Sequence, residues 1–176
     1  MADNKTSEIP KAYEAKSVEG SIYKTWEESG FFNPDKLPGK REKSFTISMP
    51  PPNVTGVLHL GHALENALMD IVIRFQRMRG KKVLLVPGTD HAAVATQARV
   101  EQDLIESGKY KNPQAELGRE KLLAIIRRYG EDSKSTILNQ IRRLGTSCDW
   151  SRLPYTFDEE RSRAVNEMSV RMYEDG

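Results

Sequence analysis

The chain has 176 residues, 38% apolar and 30% charged, with a formal net charge of +2. That length suffices for one hydrophobic core with an appended lobe. The near-balanced charge excludes a strong chain-wide electrostatic footprint for nucleic acid. A single cysteine, Cys148, excludes a disulfide framework and a cysteine zinc knuckle. No run approaches the roughly 18 apolar residues of a membrane span, and the opening MADNKTSEIPKAYE has no signal-peptide apolar core. A cytoplasmic setting without a membrane partner is therefore expected.

Residues 1–9 are polar, and Pro10 suits the opening of a helix. Ala12, Ala15, Val18, Ile22, Tyr23 and Trp26 recur at helical spacing up to a stop at Gly30, with Trp26 expected in the core. Residues 33–43 carry two prolines, a glycine and several charges, and read as a surface linker. The alternation Phe45, Thr46, Ile47, Ser48, Met49 then reads as a strand. Pro50, Pro51 and Pro52 stop it, since proline lacks the N–H that a ladder needs.

From Ala63 an apolar helical pattern follows: Leu64, Ala67, Leu68, Ile71, Val72, Phe75, Met78. His59 and His62 are expected on its first turn, three apart and on one face. Gly61 between them would let a ligand lie close to the backbone. A helix N-terminus carries unpaired N–H groups and partial positive charge, which suits a phosphate. An imidazole there can donate to a phosphate oxygen as charge grows in a transition state. The plain alternative is a pair of half-exposed helix-start histidines without a role. Arg74, Arg77 and Arg79, late in this helix, read as a solvated face, and Gly80 ends it.

Lys82–Val86 is a short apolar run between Gly80 and Pro87, read as a buried parallel strand. Strand, helix and strand make a βαβ unit, expected right-handed and half of a Rossmann-like sheet. Ligands of such sheets sit beyond the carboxyl ends of the strands. Both the 50–62 loop and the 87–92 loop leave from those ends. In the second loop, PGTDHAAVATQ, Asp90 either caps the helix expected from Ala92 to about Ser107 or holds a substrate ammonium. Spacing alone leaves both open. The chain's three histidines, His59, His62 and His91, fall in these two loops. A catalytic zinc site is the other use for such a set, but it would leave the nucleotide-site features unexplained, and no protein-bound metal is expected.

Beyond Asn112 the chain is helical, with a bend expected at Gly118 and a stop at Gly145. Trp150 and Phe157 are expected to pack this part onto the sheet. Pro154-Tyr155-Thr156 reads as a short extended stretch before a last helix that starts at Asp158-Glu159-Glu160, acids that suit the dipole. The fold class is thus α/β, with domains expected at 1–42 (helical extension and linker), 43–111 (first half of a Rossmann-like domain) and 112–176 (a continuing helical segment).

Pro52, Asn53, Val54, Thr55, Gly56, Val57, Leu58, His59, Leu60, Gly61 and His62, after two further prolines, resemble the HIGH signature of class I aminoacyl-tRNA synthetases. The N-V-T-G lead-in resembles the valyl branch. So do the Y-E-A-K…W…G-F-F opening and the G-T-D-H-A stretch, while GREKLL, LGTSCDWSR and TFDEERSRAV are similar to valyl and isoleucyl segments. The resemblance runs from about Ala12 to the last residue. It implies ATP-dependent activation of valine and ligation to tRNA(Val) through valyl-adenylate. It implies ATP contacts from Asn53, Thr55, His59, Gly61 and His62, with His59 and His62 catalytic. Pro51, Pro52 and Asn53 would wall the valine pocket, and Asp90 would hold the ammonium. Mg2+ is expected with the pyrophosphate, and a monomer for the full-length enzyme.

Ala93 departs from the pattern, standing where the family usually has glycine. The lysine-bearing KMSKS signature does not occur, and no editing or anticodon domain is recognisable. The chain is therefore expected to be an N-terminal fragment leading toward the editing insertion, meeting tRNA mainly through parts outside it, and inactive alone if the lysine loop is indispensable. The competing readings are a small H-x-G-H nucleotidyltransferase, an isoleucyl enzyme fragment, and a non-catalytic remnant.

Overall fold

The computed structural model describes residues 12–176; the expected helix opening at Pro10 lies outside them. Helix α1 (Ala15–Glu28) leads through a 3-10 turn (Pro34–Lys36) to strand β1 (Ser44–Ser48). Helix α2 (Leu60–Met78), strand β2 (Lys82–Val86), and helices α3 (Ala93–Glu106), α4 (Pro113–Arg143) and α5 (Glu159–Asp175) follow. β1 and β2 pair in parallel, from Ser44 beside Lys82 to Ser48 beside Val86. The strand–helix–strand unit is therefore present as read, and the fold is Rossmann-like α/β. The β2 residues Val83 and Leu85 are fully buried. Ile73 of α2 and Ile137 and Ile141 of α4 close over them, with Met49, Val54 and Cys148 completing the core. No helix among the described residues is long and apolar enough to cross a membrane.

Helix α2 sits differently from its apolar pattern. Leu64, Leu68, Ile71, Phe75 and Met78 face outward, between 51% and 80% exposed, while Asn66 and Ile73 are the buried positions. The inward ridge is largely polar: Asn66, Asp70 and Arg74 recur every four residues, and Arg77 follows. Nor are Arg74 and Arg77 a solvated face. The loop after α4 passes under α2 with backbone groups that must be satisfied. Arg74 donates to Gly145 O (2.7 Å) and pairs with Asp70 (2.6 Å). Arg77 donates to Ser147 Oγ (3.0 Å) and O (3.2 Å), and Asp70 accepts the Ser147 N–H (2.9 Å). Burial pulls the pKa of Arg77 below the ordinary arginine value. Only Arg79 is exposed as expected, over Phe75.

Two aromatic assignments also change. Trp26 is not core: α1 buries no residue, and Trp26 lies half-open beneath the Arg74 guanidinium, 4.9 Å from its ring centroid. Tyr23 ties α1 down instead, donating to Thr146 O and accepting from Trp150 Nε1, each at 2.8 Å. Trp150 packs on the core as read, but Phe157 is 57% exposed. α4 breaks at Gly118 (φ 72°), the expected bend, and is capped by Asn112, which accepts the Ala115 N–H. Asp158 caps α5 by accepting the Arg161 N–H (2.9 Å), and this donor holds its carboxyl below the usual range.

Candidate active site

Both candidate loops leave the carboxyl ends of their strands and then meet. Asn53 and Asp90 form an isolated parallel bridge. The Val54 N–H donates to Asp90 O (2.9 Å) and the Asp90 N–H to Pro52 O (2.8 Å). Val54 is fully buried and anchors the first loop, whereas Asn53 stays exposed. Thus Pro52, Asn53 and Asp90, read from separate stretches, lie side by side. Pro51 is exposed beside Gly88, and Thr55 is half-buried.

The two motif histidines are fixed by backbone donors. His59 is the N-cap of α2, not a first-turn residue, and His62 is the third residue of the helix. The Gly61 N–H donates to His59 Nδ1 (3.1 Å), and the His59 N–H donates to His62 Nδ1 (3.2 Å). A nitrogen that accepts carries no hydrogen, so each neutral ring holds its proton on Nε2. The ring centroids are 3.9 Å apart, which brings two Nε2–H donors into one small region at a helix N-terminus. A Cβ at Gly61 would lie 2.9 Å from His59 Cε1; the missing side chain first of all makes room for the His59 ring.

Two residues of α4 hold this loop from beneath, and neither is read as a site residue from the sequence. Gln140 Oε1 accepts the Leu58 N–H (2.9 Å), and the Tyr129 hydroxyl donates to Thr55 O (3.0 Å). They are eleven residues apart, three helical turns, hence on one face of α4. Only their place on the apolar face of the helix, beside Ile126, Ile137 and Ile141, could have flagged them.

Around Asp90 the chain brings in residues 154–157. Thr89 bridges Tyr155, the Thr89 N–H reaches Pro154 O (3.3 Å) and the Thr156 N–H reaches Thr89 O (3.2 Å). The Thr156 hydroxyl donates to Asp90 Oδ1 at 2.6 Å. His91 stacks on Phe157, centroids 5.0 Å apart, which gives Phe157 a place at the site edge. Asp90 does not cap α3: the N-cap is Ala92, with no side-chain capping bond. Ala92 also holds a left-handed conformation (φ 47°), while Ala93 is the first helical residue and exposed. The departure from glycine at 93 therefore meets helical backbone that any residue adopts, and the strained position is its neighbour. Cys148 is fully buried, and burial pushes its thiol far up, which removes it as a nucleophile. Among the described residues no group of three His, Cys, Asp or Glu side chains is arranged to hold a metal.

Comparison with known proteins identifies the family and the fold. Residues 21–176 match the family model described as tRNA synthetases class I (I, L, M and V). The chain is 48% identical over 169 residues to a valine--tRNA ligase of Geobacter sulfurreducens, covering 96% of this chain and 18% of that protein. It is also 48% identical over 171 residues to that of Carboxydothermus hydrogenoformans, covering 97% and 19%. Against the Thermus thermophilus ligase it is 48% identical over 169 residues, covering 96% and 19%. The chain thus spans about a fifth of the length of these curated relatives. A solved structure, the ternary complex of Agrobacterium radiobacter K84 agnB2 LeuRS, tRNA and LeuAMS, superposes with a TM-score of 0.74 at 20% identity, covering 94% of this chain and 19% of that one; it shares the fold. Family match and fold converge: the chain belongs to the class I tRNA synthetases (I, L, M and V).

Proposed function

We propose that this chain carries the HIGH half of an adenylate-forming site that activates valine with ATP for ligation to tRNA(Val). The carrying observation is the Asn53–Asp90 bridge, which sets the loop suited to an amino acid's ammonium against the loop that presents two imidazole donors. The valine carboxylate attacks the α-phosphorus of ATP. The bond to the β,γ-pyrophosphate breaks, giving valyl-adenylate and pyrophosphate. His59 and His62 donate Nε2–H bonds to phosphate oxygens as charge builds there, with Asn53, Thr55 and Gly61 on the ATP side. Asp90 anchors the ammonium, and Pro51, Pro52 and Asn53 line the side-chain pocket. Catalysis is positional and electrostatic, with no covalent enzyme intermediate. The tRNA terminal ribose hydroxyl then takes the valyl group and AMP leaves. Mg2+ travels with the ATP phosphates as part of the substrate.

Valine is favoured over isoleucine by the 48% identity to valine--tRNA ligases. The small-nucleotidyltransferase reading leaves the match over residues 21–176 without explanation. A cytoplasmic, monomeric full-length enzyme, and the division at residues 42 and 111, remain part of the proposal.

The test is amino-acid-dependent exchange of labelled pyrophosphate into ATP, with valine, isoleucine, threonine and no amino acid. Exchange with valine, lowered roughly 10²–10³-fold by His62→Ala, is the expected result. Exchange with isoleucine alone would overturn the valine assignment. Tight ATP binding by calorimetry with no exchange for any amino acid would overturn adenylation of an amino acid by this site.

A further inference from the structure

Thr156 sits at the junction of three polar groups. Its hydroxyl lies 2.6 Å from Asp90 Oδ1 and 2.6 Å from His91 Nδ1, and it accepts the His91 backbone N–H at 2.9 Å. A threonine hydroxyl has one hydrogen and two lone pairs. A carboxylate only accepts, so that hydrogen goes to Asp90. The two lone pairs then face two donors, the His91 N–H and, necessarily, a proton on His91 Nδ1. The assignment is forced by counting hydrogens, and it is opposite to that of His59 and His62, whose Nδ1 atoms accept. The ring is held in this orientation by its stack on Phe157 and the edge of Tyr155. With Oδ1 taken by Thr156, Asp90 Oδ2 is bonded by no described residue, and the side chain is one-third exposed.

We infer that Thr156 is the positioning residue of the amino-acid subsite: it aims the Asp90 carboxylate at the substrate ammonium and fixes His91 as the Nδ1–H tautomer. This rests on the reading of Asp90 as the ammonium anchor. Thr156 comes from a segment 66 residues away, so it couples the last part of the chain to substrate binding without touching substrate.

The test has two arms on the full chain. Long-range nitrogen–proton NMR of the ¹⁵N-labelled chain reads ring tautomers, with His91 assigned by its loss in His91→Asn. Nδ1–H for His91 beside Nε2–H for His59 and His62 is expected; Nε2–H for His91 overturns the inference. Valine and ATP affinities are then measured for Thr156→Val, Thr156→Ser and Asp90→Asn. Thr156→Val should weaken valine about tenfold or more with ATP affinity unchanged, and Thr156→Ser should restore it. Equal loss of valine and ATP, or serine failing to rescue, marks a merely structural residue and overturns the inference. Asp90→Asn losing valine while Thr156→Val does not overturns the inference and leaves the anchor standing. Valine binding that ignores Asp90→Asn overturns both.

Discussion

The two loops of the site are built in different ways. The two imidazoles of the histidine loop are set locally, His59, Gly61 and His62 fixing one another within four residues, while Gln140 and Tyr129 of α4 hold the loop's backbone. The aspartate loop has no such local closure. Its backbone is held by the bridge to Asn53 and by the pairing of Thr89 with Tyr155, and its carboxylate by Thr156, more than sixty residues on. One half of the site is therefore written in a short motif, and the other depends on the chain folding back. A motif can be recognised wherever it stands, whereas a tertiary contact exists only once the remainder has packed.

Substitutions in the supports measure how far that contrast extends. The largest effect is expected from Gln140→Ala, which leaves the part-buried Leu58 N–H without its acceptor. That costs about 1–3 kcal/mol and should lower exchange activity; urea melts and pyrophosphate exchange check it. An unchanged variant would mean that the histidine loop needs nothing beyond itself. Tyr129→Phe removes one bond to Thr55 O and should cost about 1 kcal/mol by the same melts. In the other loop the sign reverses. Ala92 holds φ 47° with no side-chain cap on α3, so Ala92→Gly should stabilise the chain by up to about 1 kcal/mol, read as a raised urea midpoint.

The smallest effect is set by pH. Asp158 accepts the Arg161 and Tyr155 N–H groups and has a lowered folded pKa. Its contribution is therefore present above the unfolded carboxylate value, near pH 4, and is lost as pH falls through the lower folded value. Amide exchange at residues 154–157 should quicken below about pH 4 before that at residues 59–62. Simultaneous quickening would erase the distinction.

Much of this was legible in the sequence. Three prolines, Gly56 and the histidine spacing located the first loop, and Gly80 and Pro87 bounded β2. The parallel unit followed from strand, helix and strand at short range. What failed was the assumption that an apolar period marks the buried side. α2 reverses it because the sheet takes only a narrow strip around Met69 and Ile73, while the 145–149 loop takes donors from Arg74 and Arg77. Trp26 and Phe157 were misplaced for a related cause: an aromatic residue serves equally well beneath a guanidinium or against an imidazole. Thr156, Gln140 and Tyr129 were invisible as site residues because their partners are distant backbone and side-chain groups.

The outward row on α2, Leu64, Leu68, Ile71, Phe75 and Met78, has a consequence in time. A chain is made from its N-terminus, so α2 is complete about sixty residues before Ile137 and Ile141 can close the core. At about 5–20 residues per second that is an interval of roughly 3–12 s. During it the nascent chain carries this helix with its apolar row and Ile73 both uncovered, the kind of segment that chaperones capture. Docking of α4 ends the exposure of the inner side alone. Within these residues the outer row stays uncovered after α4 docks, so the yield of this chain expressed by itself should respond to expression temperature and chaperone supply.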